Sequence, residues 1–468
     1  MPGLSRRKLL ASAAISAGAS LLPSGMPSPA QTVTSKTDPA QGRPGETTAP
    51  SISPAGRKTA TDSLMTYFGR TAPQLLRPAE GDLKWPSIAP SLPGKQYSTS
   101  LWDWDTLWTT RGLFRYANLA GNSELHSQIA AHARGSLANF LDHQSPEGRL
   151  PMMMSVTDPD PFDCLKQSIH NSRNQAKPIF AQLALLIADE THDVAWLNPR
   201  FDQLLRFYDS WNSGNQSPLG LLVWGNDVAI GDDNDPTTFG RPFFSSANLL
   251  LNCLFYADLA AAAALAQRLG RPGDVQKLSA QAHDLGSRIE QFCWDPRDRF
   301  YYTVDVQCID RRSELIPKVK PGMDMSWKCL PLRIQMFTGF LPLWCRVASP
   351  EHAKALVETA YRADARFRAD WGVRSLSNLE AMYTLAFSSN PSNWLGPVWI
   401  IVNNLVWNAL RNYGFTAEAA ELADKTIQLL AKDLATNGSL NEYYHPDTGA
   451  ALSHKGFMDW NLLVLEMI

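Results

Sequence analysis

From residue 63 onward, apolar positions recur at spacings of three and four, so the chain reads as a succession of helices joined by irregular loops. Segments 123–143, 178–189 and 198–212 keep this period, and 245–269 is an alanine- and leucine-rich run that is apolar on nearly every side. A helix with no polar face belongs inside, packed on both flanks. The next segment has one apolar stripe, Val275, Leu278, Ala282, Leu285, Ile289 and Phe292, with Asp274 as its expected N-cap; it should cover the outside of its predecessor. The same pairing returns at 395–413 and 418–432, with Gly414 as a left-handed stop and Thr416 as a cap. Buried helix, short turn and amphipathic partner make an αα-hairpin. Hairpins without an exact sequence period suit an all-α, closed double ring whose inner helices carry functional loops at one end. Strand-like pieces such as 300–306 are expected as hairpins between helices.

The pattern breaks most sharply at 221–242, where Gly225, Gly231, Pro236, Gly240 and Pro242 forbid a regular element. Inside it stand Asp232, Asp233, Asn234 and Asp235 in succession. Crowded like charges keep a carboxyl protonated near neutrality, so Asp232 and Asp235 are expected to raise the pKa of Asp233 and let it act as an acid. A second stretch, 440–446, sets Glu442 beside Asn441, Tyr443 and Tyr444, whose polar groups would hold it ionised. Asp233 and Glu442 are expected to face each other across a sugar-binding pocket.

Composition narrows the ligand. The chain has 468 residues, 44% of them hydrophobic, enough for a large core, and its net charge of −2 gives no attraction to nucleic acid or to an anionic membrane. Among its 15 tryptophans, Trp102, Trp104, Trp108, Trp224, Trp371, Trp394 and Trp399 fall in polar, Gly/Pro-broken stretches. Indole faces beside carboxylates and amides suit sugar rings, although several are expected simply to fill the core.

Arg6-Arg7 followed by an apolar run to residue 22 reads as a twin-arginine export signal over 1–31; a disordered Pro/Ser/Thr/Gly-rich linker follows over 32–60, and a catalytic domain over 61–468. This places the mature protein in the periplasm or outside the cell, and no later segment reads as a membrane span. The six cysteines lack metal spacing; Cys308 and Cys329 flank a Pro/Lys-rich loop and are candidates to pair after export.

The pieces LWDWDTLW (101–108), NQAKP (174–178), GDDNDP (231–236), GFLPLW (339–344), RSLS (374–377), NWLGPVWIIVNNLV (393–406), NEYYHPDTG (441–449) and HKGFMDWNLLVLEMI (454–468) occur in the order seen in glycoside hydrolase family 63. From about residue 100 to the end the chain resembles that family, whose clan includes the family 37 trehalases. The resemblance implies an (α/α)6 barrel that hydrolyses α-glycosidic bonds with inversion. It makes Asp233 the match to the general acid and Glu442 the match to the general base. It also implies substrate contacts from Trp104 and Asp105, from Trp102 and Asp103 as a second Trp-Asp pair, and from Gln175, Asn234, Tyr444, Lys455 and Trp460, beside the indoles of Trp224, Trp394 and Trp399. Two departures, Asp235 for the family's serine and Leu395 for an arginine, flank the sugar site.

The chemistry stands apart from the resemblance. Cleaving an acetal requires an acid on the leaving oxygen and a base on the attacking water; carboxyls roughly 6.5–9.5 Å apart leave room for that water and give inversion. No cofactor is called for, and the partner is a small oligosaccharide or glycoside. Other readings of the same residues are a structural calcium held by Asp232, Asn234 and Asp235, Glu442 as a solvated turn residue, Lys455 as a surface lysine, and Arg374 as a ligand for a carboxylate such as glycerate or for buried carbonyls. His445 is expected to order its loop. No G-x-S-x-G, H-E-x-x-H, Walker or dinucleotide motif is present. A non-catalytic sugar-binding protein or a polysaccharide lyase remains the alternative, although a lyase would want basic residues where this loop is acidic.

Overall fold

The computed structural model describes residues 52–166, 173–308, 328–362, 366–386 and 391–468. The expected export signal and residues 32–51 of the expected linker lie outside the described residues. The linker boundary at 60 is corrected by helix α1, Pro54–Thr71, which begins with proline in its first turn and with Ser53 Oγ accepting from the Gly56 N–H at 3.1 Å. Its Leu64 and Phe68 are buried where it packs on the last long helix.

Among the described residues ten further α-helices follow: α2 Asp103–Ala120, α3 Ser123–Asp142, α4 Phe180–Thr191, α5 Phe201–Asn215, α6 Leu249–Arg268, α7 Pro272–Cys293, α8 Leu341–Trp344, α9 Pro350–Leu356, α10 Ile400–Asn412 and α11 Thr416–Asn437. The chain ends in a 3-10 turn, Trp460–Glu466. The even-numbered helices and that turn form the inner ring: α2 meets α4, α4 meets α6, α6 meets α8, α8 meets α10, α10 meets the C-terminal turn, and the turn closes against α2. The odd-numbered helices lie outside, α3 on α2 and α4, α7 on α6, and α11 on α10. This is an (α/α)6 double ring.

Local sequence explains the two layers. Helix α6 has the length and apolarity of a membrane span, contrary to the expectation that no later segment does; here it is the buried inner member of a hairpin. Helix α7 buries Leu278, Ala282, Leu285 and Ile289, while Val275 and Phe292 at its ends are half-buried. Its N-cap position is Arg271, which pairs with Asp274 in the first turn; the expected cap is thus a first-turn acid, favourable at the positive end of the helix dipole. Thr416 likewise opens α11 as its first residue without capping it. The predicted helix 395–413 starts only at Ile400, because Pro397 and the ladder pairing of Val398 with Arg374 and Tyr444 hold its first residues extended.

Strands are short and serve the loops. Ser100–Trp102 pairs with Met153–Ser155 and delivers the chain into α2, while Val304–Asp305 pairs with both Ser246–Ala247 and Leu330–Pro331. The piece 300–306 therefore divides between two small sheets.

The ring closes over a glycine. A Cβ on Gly112 of α2 would lie 2.3 Å from Leu462 Cβ and 3.0 Å from the Leu462 carbonyl carbon in the terminal turn. Gly112→Ala is expected to force these elements apart and to cost about 1–3 kcal/mol, read as a lowered urea midpoint at unchanged slope.

Candidate active site

A narrow cavity of about 30 Å³ opens at the loop end of the ring, lined by Tyr97, Trp102, Trp104, Asp105, Met152, Lys177, Val228, Ala229, Gly231, Asp233, Ser392, Glu442, Phe457 and Trp460. Asp233 and Glu442, distant in sequence, share it as expected.

Asp233 is aimed by its neighbours. Gly231, at φ +89°, lies where a Cβ would sit 3.0 Å from both Trp104 and Lys177, so only glycine lets the loop pass. Asp235 accepts from Thr237 N at 2.7 Å, Thr237 Oγ1 at 2.8 Å and Asn248 Nδ2 at 2.9 Å, anchoring the loop to the start of α6. Asn234 Oδ1 takes the Trp394 N–H at 2.7 Å, and its amide donates to Asn393 Oδ1 at 3.3 Å. Asn234 and Asp235 thus spend their oxygens on protein donors. Among the described residues no cluster of three or more His, Cys, Asp or Glu side chains could hold a metal.

Crowding of the loop's carboxyls acts on Asp232. Burial, then the charges of Asp235 and Asp233, push Asp232 well above the carboxylate range, and burial lifts Asp235 to about 6. Arg241 does not neutralise this cluster; it pairs with Asp305.

Glu442 sits on an irregular hairpin, its N–H on Ser453 O at 3.0 Å and its carbonyl accepting Trp460 Nε1 at 3.2 Å. Asp433 of α11 fixes the base of the hairpin, accepting from Asn441 N at 3.0 Å and from Tyr444 Oη at 2.9 Å. The Glu442 side chain meets His454, whose Nδ1 contacts Oε2. His445 Nδ1 accepts from Asp447 N at 3.1 Å, ordering its own loop as expected.

A second carboxyl pair stands near Glu442. Asp105 faces Asp459, which is fully buried and accepts from Thr109 Oγ1 at 2.8 Å. Burial pushes Asp105 up to about 7, with Asp103 adding to the shift and Lys177 opposing it; burial and then Asp105 push Asp459 well above its ordinary range. Burial thus favours the protonated form of both carboxyls. Lys177 Nζ is already engaged, 3.0 Å from Asp103 Oδ1 and 3.2 Å from Ala229 O, and lies over the Trp104 ring at 5.2 Å.

Of the expected contacts, Trp102, Trp104, Asp105 and Trp460 line the cavity with the two carboxyls. The others do not. Asp103 is a buried partner of Lys177 and takes the Trp104 N–H at 2.7 Å. Gln175 accepts from Ser210 Oγ at 3.0 Å, Trp224 packs on Trp211, and Asn234 is the loop anchor. Trp394 stacks on Trp399 at 3.9 Å and 7°, Trp399 stacks on Tyr443 at 4.5 Å, and Tyr444 binds Asp433; all of these stand behind the wall. Arg374 pairs with Asp447 at 2.6 Å, and Lys455 is exposed. Cys308 and Cys329 are not joined by a disulfide; Cys308 Sγ lies 3.5 Å from Asp305 O. Residues the sequence did not single out include Tyr97, Lys177, Ser392, His454 and Asp459. Lys177 was present in the NQAKP piece, and His454 and Asp459 in the HKGFMDW piece.

A double ring of helices with carboxyls and indoles at its loop end is the architecture of the helical-barrel glycoside hydrolases. The solved structure of the family 63 mannosylglycerate hydrolase from Thermus thermophilus in complex with glucose superposes with a TM-score of 0.60, covering 87% of this chain and 98% of that one at 19% identity. Neutral trehalase of Saccharomyces cerevisiae gives 0.55 over 82% of this chain and 74% of that one at 16% identity. The chain belongs to the mannosylglycerate hydrolase MGH1-like glycoside hydrolase family, whose domain model matches residues 98–458. Over 140 residues it is 31% identical to the mannosylglycerate hydrolase of another Thermus thermophilus strain, and over 113 residues 35% identical to mannosylglycerate hydrolase MGH1 of Selaginella moellendorffii. These stretches cover 29% and 24% of this chain but only 31% and 20% of the two relatives.

Proposed function

We propose that this protein is an inverting glycoside hydrolase acting on the α-glycosidic bond of a small, uncharged glycoside, with Asp233 as general acid and Glu442 as general base. The observation that carries the reading is the shared cavity: both carboxyls line it, with Trp104 and Trp460 beside them as ring-stacking faces. In the reaction, Asp233 gives its proton to the leaving oxygen as the bond to the anomeric carbon breaks. Glu442 takes a proton from the water that attacks the opposite face. Carboxyls supply both transfers, so no cofactor is needed, and the acid walls offer a nucleic acid nothing to bind. Export through the twin-arginine signal would put this activity outside the cytoplasm.

Charge argues for the uncharged substrate. The described walls carry Asp105, Asp233 and Glu442, and their one cation, Lys177, is bound to Asp103; Arg374, the residue considered for a glycerate carboxylate, is paired with Asp447 away from the cavity. A uronate-cleaving lyase meets the same objection. In a screen of trehalose, short α-gluco-oligosaccharides, and glucosyl- and mannosylglycerate, neutral substrates are expected to lead in kcat/KM by about tenfold or more, the factor that roughly 1.4 kcal/mol of unmatched charge produces. A preference for the glycerates would overturn the assignment of substrate class.

A further inference from the structure

We propose that His454 is a positioning residue for Glu442: its Nδ1–H holds one carboxylate oxygen of the base and leaves the other free to take the proton of the attacking water. The kinetic part of this inference rests on the hydrolase reading; the contact itself does not.

Nδ1 meets Glu442 Oε2 and lies 3.1 Å from Ser453 Oγ. A carboxylate can only accept, so the ring nitrogen that touches it carries the hydrogen, which fixes the tautomer. The imidazole is held edge-on by Tyr97, with ring centres 5.5 Å apart and planes at 75°, and Tyr97 itself lines the cavity. Both residues adopt left-handed backbone, φ +38° at His454 and +67° at Tyr97, a conformation costly for side chains of this size. The hairpin does not need this strain to close, since Glu442 N–Ser453 O, Leu452 N–Tyr443 O and Gly456 N–Leu440 O, at 3.0, 3.0 and 2.8 Å, already join its strands. The strained backbone serves to present the ring to the carboxylate. The other titratable groups round the pair are Tyr97, Tyr443, Asp459, whose charge acts against that of Glu442, and Lys455 at the exposed rim.

The test compares His454→Ala, His454→Asn and Glu442→Gln with the unmodified protein, on whichever α-glycoside of the screen it cleaves. Asparagine tolerates left-handed backbone and sets an N–H where the imidazole has one. His454→Ala is expected to lower kcat by about 10–100-fold with little change in KM, and to move the acid limb of kcat/KM to higher pH; His454→Asn should restore most of kcat. In parallel, the side-chain 15N spectrum of histidine-labelled protein should show Nδ1 of His454 protonated near pH 7 and displaced in Glu442→Ala. If Glu442→Gln is inactive while His454→Ala keeps the native rate and pH profile, the positioning role is wrong and the hydrolase stands. If Glu442→Gln keeps native turnover, the assignment of the base fails instead. If no glycoside is cleaved, the hydrolase reading falls, and an unmoved nitrogen resonance in Glu442→Ala would also remove the pair.

Discussion

Asp233→Asn and Glu442→Gln are each expected to lower kcat on an unactivated α-glycoside by about 10²–10⁴-fold, the range that a positioned acid or base contributes. Both line the cavity and each amide keeps the shape of the carboxyl it replaces, so each variant should fold and still bind sugar. The two losses should differ in character. An acid is needed only while the leaving oxygen is a poor leaving group, so a glycosyl fluoride, which departs without a proton, should recover much of the Asp233→Asn deficit. The base is needed whatever leaves, so Glu442→Gln should stay slow on the fluoride. Equal recovery in both variants would show that the roles are misassigned, and near-native activity of Asp233→Asn would move the acid elsewhere in the loop.

Stability is expected to fall as pH rises from about 4 to about 7, the reverse of common acid denaturation. Asp258, fully buried on inner helix α6, accepts from Gln182 N at 2.9 Å and Tyr208 Oη at 2.9 Å, and burial pushes it up to about 7. Asp105 also reaches about 7 and Asp235 about 6, and Asp232 and Asp459 are likewise raised, all led by burial. A carboxyl raised in the folded state binds its proton there more tightly than in the unfolded chain. Its stabilisation is therefore complete below the unfolded value near 4 and is lost as pH climbs through the folded one. For Asp258 the linkage relation gives roughly 4 kcal/mol across that window. Asp142, Asp295 and Glu421 are lowered and act in the opposite sense, but at more acid pH. Thermal midpoints from pH 4 to 8 should decline and then level, and Asp258→Asn should flatten the slope. A midpoint that rises steadily to pH 7 would show that these carboxyls are ionised in the fold.

Helices were legible where one local rule decided them. The all-round apolar run of α6 and the single stripe of α7 specify inner and outer positions without reference to the rest of the chain. The stretch before Ile400 was misread because its apolar residues fit a helix, while Pro397 and a cross-chain partner at Tyr444 make it extended. In the site, loop chemistry marked Asp233 and Glu442. It could not separate an indole facing ligand from one facing another indole: Trp394 and Trp104 sit in equally broken sequence, yet one stacks on Trp399 and the other faces the cavity. Lys177 was passed over because its meaning depends on Asp103, 74 positions away.

The most direct test of the central claim, that Asp233 and Glu442 work as acid and base on opposite faces of one bond, is the configuration of the sugar at the moment of release. Proton NMR on an α-linked substrate, recorded within the first turnovers and ahead of mutarotation, should show the β-anomer appearing first. The α-anomer appearing first would mean retention and a covalent intermediate, and would contradict the account.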